Sequence, residues 1–256
     1  MTERRKPVGQ KGPIVIENGT ARWAPIDFPA EKARREWTIA EAFIKAANRV
    51  IMYPSKEQPS YAPFGRLEQN PESDLDFTVQ TAHGERLLEL VEFAPLGERW
   101  QRYEDVPGEI DQGTKSDLLV DLLRRKSAHH GGEDRILLVY VTEQGFGIDP
   151  ITVEITRRRL QQERPRFDRI YYLSPGPEGG GMVWEIFPGS PHPFFQENSD
   201  EDLRGRRARF PHPTEFVEVR EVVFTMPIPA YGNSTVRFRW LVPIGTAFTP
   251  PADRSR

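Results

Sequence analysis

The chain has 256 residues, 37% of them hydrophobic and 29% charged, with a formal net charge of −3. That length and balance can bury a sizeable core and exclude a disordered polypeptide, while the mild acidity excludes a whole-surface attraction to nucleic acid. With no cysteine there are no disulfides, thiolate metal sites or thiol nucleophiles.

No apolar run approaches the roughly 18 residues of a membrane span. The basic start, MTERRKPVGQKGP, has no apolar stretch behind it and does not read as a secretory signal. These features set the expectation of a cytoplasmic protein that does not enter a membrane. Arginines cluster at Arg157 to Arg159, Arg164 to Arg169 and Arg204 to Arg209. Such patches can bind phosphates locally, and the competing reading is solvated surface.

In chain order, residues 1–29 read as an extended N-terminal arm with a short strand at Ile14 to Ile16. A helix is expected from Ala30 to about Val50, with Trp37, Ala40, Ile44 and Ala47 at helical spacing and Glu41 at the edge of that stripe. A proline-rich loop follows. DLDFTVQTAHGERLLELVEFAPL then reads as a hairpin: a strand from Asp76 to Gln80, a turn around His83 and Gly84, and a strand from Arg86 to Ala94. The second strand is apolar on both faces, which marks a central strand.

A second helix is expected from Thr114, with Asp117 in a capping-box position and Leu118, Leu119, Leu122 and Leu123 on its apolar face. It stops near His129-His130-Gly131-Gly132, a histidine pair better suited to a helix C-terminus than to a metal. RILLVYVT, Arg135 to Thr142, is a buried strand. Asp149-Pro150 opens a third helix to about Gln162, and Arg169 to Leu173 is a further strand. Strand, helix, strand over this length is a βαβ unit with parallel strands and a right-handed crossover. Beyond it, Val183 to Phe187, Glu215 to Phe224 and Thr235 to Val242 read as strands among prolines.

The fold expected is therefore α/β, a central mixed β-sheet flanked by helices. Residues 30–174 form the core, and residues 175–256 form a β-rich, proline-rich extension packed on it within one domain.

Hairpin parity decides which acidic side chains meet. A four-residue connection sets Asp76 opposite Glu89, and a two-residue turn at His83-Gly84 sets Glu89 opposite Thr78. Either puts Asp76 and Glu89 on one face, whereas an odd connection puts Glu92 there instead. Carboxylates in an apolar strand need a cation, a donor or a metal ion. Two on one face can hold Mg²⁺ through oxygen. The alternative is that Glu89 and Glu92 pair with Arg86, Arg99 or Arg102.

The order of these elements, with Glu41 on the first helix, Asp76 leading the hairpin and Glu89 in its second strand, resembles the PD-(D/E)XK nuclease superfamily over about residues 30–174. The resemblance implies a restriction-endonuclease-like core and Mg²⁺ or Mn²⁺ as cofactor. It implies Asp76 and Glu89 as metal ligands and Glu41 as an accessory ligand. The usual Lys two residues after the second acid is Val91 here. Some members supply that cation from the next helix, which points to Lys126 for positioning water or stabilising charge, with Lys115 near the other end of the same face. The function expected is a metal-dependent phosphodiesterase, a hydrolase acting on DNA or RNA. The alternative is a non-catalytic module that keeps a nuclease-like fold. Its partner would be nucleic acid, a protein or a second copy of the chain.

Overall fold

The computed structural model describes residues 11–12, 14–17, 20–49, 59–70, 75–94, 96, 100–102, 105–107, 109–189, 195–205, 207–209, 216–228 and 232–243. In chain order the elements are β1 (Ile14–Glu17), β2 (Thr20–Trp23), α1 (Lys32–Ala47), β3 (Leu67–Gln69), β4 (Phe77–Thr81), β5 (Gly84–Glu92), β6 (Glu109–Asp111), α2 (Gln112–His130), β7 (Gly132–Tyr140), α3 (Pro150–Glu163), β8 (Phe167–Pro175), β9 (Gly181–Phe187), α4 (Asp200–Arg204), β10 (Arg207–Arg209), β11 (Phe216–Ile228) and β12 (Gly232–Pro243). Val50, where the first helix was expected to end, and Arg99 lie outside the described residues.

The chain divides into two compact units. One comprises residues 1–11 and 26–210, and the other residues 12–25 and 211–256. In the second unit β1 and β2 form an antiparallel pair, and so do β11 and β12.

The first unit is built on a six-stranded mixed sheet, flanked by helices, in the order β3-β4-β5-β7-β8-β9. β5, β7 and β8 are mutually parallel, as the βαβ pattern requires, while β3, β4 and β9 run antiparallel to their neighbours. Strand alternation divides the core in two. Leu88, Leu90, Ile136, Leu138, Tyr171 and Leu173 pack with Ile39, Ala40, Phe43 and Ala47 of α1 on one face. Leu137, Val139, Ile170 and Tyr172 pack with Leu119, Leu123, Val153 and Leu160 of α2 and α3 on the other. β9 pairs with β8, so the sheet continues past residue 174.

Local chemistry sets the helix starts. Asp149 accepts the Thr152 N–H at 2.9 Å and Pro150 occupies the first turn of α3. α2 begins two residues earlier than the capping-box pattern suggested, because Asp111 accepts the Thr114 N–H at 2.7 Å. Asp117 instead pairs outward with Arg159 and, at 2.6 Å, with Arg204. The arginine run on α3 is largely engaged. Arg157 donates to the Glu185 carbonyl, and Arg158 binds Glu154 and Asp200.

Two lysines are buried beside the loop after β7. Lys115 is 2% exposed and donates to the Gly147 carbonyl at 2.8 Å, and Lys11 lies near Glu143. Burial, first, pulls both ammoniums down to about 8, and their mutual repulsion adds to the effect on Lys115. A folded-state pKa below the ordinary lysine value means the unfolded chain binds more protons between about pH 8 and 10.5, so stability rises with pH through that window. In urea titrations, Lys115→Met should remove about half of that rise, Lys11 carrying the remainder.

Candidate functional site

Glu89 sits in the middle of β5, the central strand, and is 4% exposed. The β4–β5 turn is a two-residue one at Ala82-His83, with Thr81 paired to Gly84 and Gly84 at φ 96°. This lies one residue before the turn expected from the sequence, and it changes the register. Phe77 opposes Leu88, so Asp76, at the entry to β4, falls opposite Glu89. The Asp76 carboxylate accepts the Leu90 N–H at 2.7 Å through one oxygen. That bond satisfies a β5 donor where the β4 ladder has ended.

The Glu89 carboxylate is met from α2. Lys126 Nζ lies 2.6 Å from Glu89 Oε1, with the lysine side chain 25% exposed. Glu89 Oε2 is buried and has no hydrogen-bond partner among the described residues. Val91 lies two residues along β5 and packs in the same core layer as α2. The ammonium that meets this acid comes from α2 and not from β5. Lys115 is not part of this arrangement, because it turns to the Gly147 carbonyl.

Glu41 is not brought to the site: it is exposed. The buried arc of α1 is Ile39, Ala40, Ala42, Phe43, Ala46 and Ala47, rotated from the stripe through Trp37, Ala40, Ile44 and Ala47. On a helix of 3.6 residues per turn Glu36 lies near the middle of that arc and Glu41 almost opposite it. Glu36 is the residue sequence reasoning missed. Its carboxyl is pushed up by burial first and by the Asp76 charge second, while Lys32, 3.5 Å away, opposes the shift. Its signal was the i+3, i+4 and i+7 relation to Ile39, Ala40 and Phe43.

The arginine pairing considered for the β5 acids does not occur at Glu89, whose partner is Lys126. Glu92 accepts from the Thr142 hydroxyl, and Arg86 lies 3.6 Å from Asp168. Tyr140 is near Glu92. Burial and then that charge hold its hydroxyl well above the usual tyrosine value, against the opposing pull of Arg35.

Among the described residues no three His, Asp or Glu side chains converge in a way that could hold a metal ion. What the site offers is two carboxylates at opposed strand positions, of which Glu89 has one oxygen on the Lys126 ammonium and, among the described residues, no hydrogen-bond partner for the other. Mg²⁺ is commonly held by one or two carboxylates, its other positions filled by water and substrate oxygens, so a pair fits that ion where a full protein cage is missing. Among the described residues no helix is long and apolar enough to cross a membrane. Comparisons with protein-family models, with curated proteins and with solved structures find no match.

The Glu89–Lys126 pair makes a stability prediction. Lys126→Met leaves a buried carboxylate uncompensated and should cost about 1–3 kcal/mol at pH 7. The double variant Lys126→Met/Glu89→Gln should recover most of the loss. Urea midpoints of the four proteins check this, and an additive cycle would mean the two groups are not coupled.

Proposed function

We propose that this chain is a metal-dependent phosphodiesterase acting on DNA or RNA, with Asp76 and Glu89 as the metal ligands and Lys126 as the catalytic cation. The observation that carries the reading is the buried Glu89 oxygen without a partner, on a carboxylate held by Lys126 and opposed by Asp76. A buried acceptor left without a donor costs about 1–3 kcal/mol, and such groups cluster where a ligand completes them. The order α1, β3, β4, β5, α2, β7 supports the resemblance to the PD-(D/E)XK nucleases, and so does an amine reaching the second acid from α2.

Each residue has a definable part. The Leu90 N–H fixes one Asp76 oxygen, and the other makes no hydrogen bond among the described residues. Lys126 holds one Glu89 oxygen at 2.6 Å and so orients the second. The remaining ammonium protons of Lys126 can meet a phosphoryl oxygen or hold a water for attack. Glu36 adds a third carboxylate near Asp76 that can accept from a bound water. Mg²⁺ or Mn²⁺, when bound, supplies charge stabilisation and a water acidic enough to attack a phosphodiester.

A second reading has its own support. Val91 replaces the usual lysine, Asp76 already has a structural duty to Leu90, and three donors do not converge. These favour a nuclease-like module that binds nucleic acid or protein without cutting.

Purified protein should cleave DNA or RNA with Mg²⁺ or Mn²⁺ and not with EDTA. Asp76→Asn and Glu89→Gln should each slow cleavage by at least about 100-fold with an unchanged circular dichroism spectrum. Glu36→Gln should slow it less, and Glu41→Gln should behave as wild type. No metal binding by calorimetry, together with no cleavage across single- and double-stranded substrates, would leave the non-catalytic reading standing.

A further inference from the structure

A cavity of about 680 Å³ opens at the start of β7 and β8 and the end of β9. That volume lies within the usual range for small-molecule sites. The sheet is irregular at this point. Gly132 opposes Phe167 and Ile136 opposes Arg169, so residues 133–135 of β7 face the single residue Asp168 of β8. The β8–β9 register also shifts, between the partners of Ile170 and Tyr171. Bulging of both neighbours away from one strand end re-aims side chains, as bulges beside functional sites do.

The floor of the cavity is set. Asp168 accepts the Tyr61 hydroxyl and pairs with Arg169 at 3.2 Å and Arg86 at 3.6 Å. The Arg169 guanidinium lies 4.6 Å from the centre of the Tyr61 ring and donates to Ser60 at 2.9 Å. Two other lining charges are uncommitted. Arg166 and Glu133 are both exposed and line the same cavity, and among the described residues neither has an ion pair with the other or with any third group. Phe187 and Pro188 supply an apolar wall.

We propose that this cavity holds a nucleobase. A small anion would meet Glu133 and Asp168, and a small cation would meet Arg166 and Arg169. An aliphatic ligand would leave all four without use. A flat, neutral heteroaromatic with donors and acceptors on its edge satisfies the set. Its face stacks on Phe187, a guanidinium donates to ring or carbonyl acceptors, and the Glu133 carboxylate accepts from an exocyclic amino group. The Arg166 N–H donates to Ser127 Oγ at 2.6 Å, and Ser127 follows Lys126 on the last turn of α2. The cavity wall is therefore tied to the turn that holds Glu89. The proposal rests on the nucleic-acid part of the reading above and not on its chemistry. The base is presented either by a single strand or by a free nucleotide.

The test is fluorescence anisotropy in EDTA with short fluorescein-labelled homopolymer oligonucleotides, with nucleoside monophosphates as competitors. Wild-type protein should bind, and should prefer oligo-dC, whose base carries an amino group, to oligo-dT. Phe187→Ala should weaken binding about tenfold, the scale of one lost base–aromatic stack. Arg166→Ala, at an exposed position that should not disturb folding, should weaken it several-fold. Glu133→Gln should narrow the preference between dC and dT. Competition by a monophosphate assigns the site to free nucleotides, and its absence assigns it to a strand; either supports a base site. The proposal is overturned if wild type binds neither class, or if Arg166→Ala and Glu133→Gln bind as wild type does. Cleavage is assayed separately, so binding without cleavage counts against the phosphodiesterase and not against the base site.

Discussion

β5 is the strand on which the first unit depends. It pairs antiparallel with β4 on one side and parallel with β7 on the other, so it joins the hairpin half of the sheet to the crossover half. Both its faces are covered, Leu88 and Leu90 by the α1 layer and Val91 by the α2 layer. A strand in that position has to be apolar through its covered middle, and within Leu87 to Val91 Glu89 is the exception. The hydrophobic effect that places β5 in the centre also takes Glu89 out of water, and the desolvation of that carboxylate is what calls Lys126 in from α2. Their 2.6 Å contact spans the helix and the sheet, so it ties α2 to the central strand by charge where the neighbouring leucines do so by packing.

Much of this organisation was legible because it is local or periodic. The βαβ unit could be read from an unbroken apolar run, an Asp-Pro helix start and a second strand, since each signal lies within a few residues of the element it defines. The hairpin was legible in kind but not in register. One residue of turn placement decides what opposes Glu89, and turn residues Ala82 and His83 carry no strong signal for it. The α1 stripe shows a different limit. Trp37 and Ile44 are large and apolar, yet they sit at the margin of the packed arc while the small Ala42 and Ala46 are inside it. Burial on that helix follows closeness to the sheet, so the stripe drawn through Trp37, Ala40, Ile44 and Ala47 was rotated and gave Glu41 in place of Glu36. Lys126 and Lys115 lie on one helical face, four residues after Leu122 and seven before it. Only the tertiary structure separates a lysine that meets an acid from one that meets a carbonyl.

The charge distribution constrains any nucleic-acid reading. Arg124 is bound to Glu163 and Asp121, Arg158 to Glu154 and Asp200, and Arg159 and Arg204 to Asp117. These pairs brace α2, α3 and α4 against one another, and each removes a cation from the field an approaching phosphate would feel. With a net charge of −3, the chain has little long-range attraction for a polyanion to draw on. A strand engaged under the proposed function is therefore held by few, short-range contacts: a base against Phe187, the uncommitted Arg166, and Lys126 at the carboxylates. Few phosphate contacts mean few counterions released, so the salt dependence of binding should be shallow compared with that of proteins that grip duplex DNA along a basic groove. The same reasoning favours a single strand over a duplex. A stacked base in a duplex does not offer its face to an aromatic wall, and this surface has too few uncommitted cations to offset the work of extruding it.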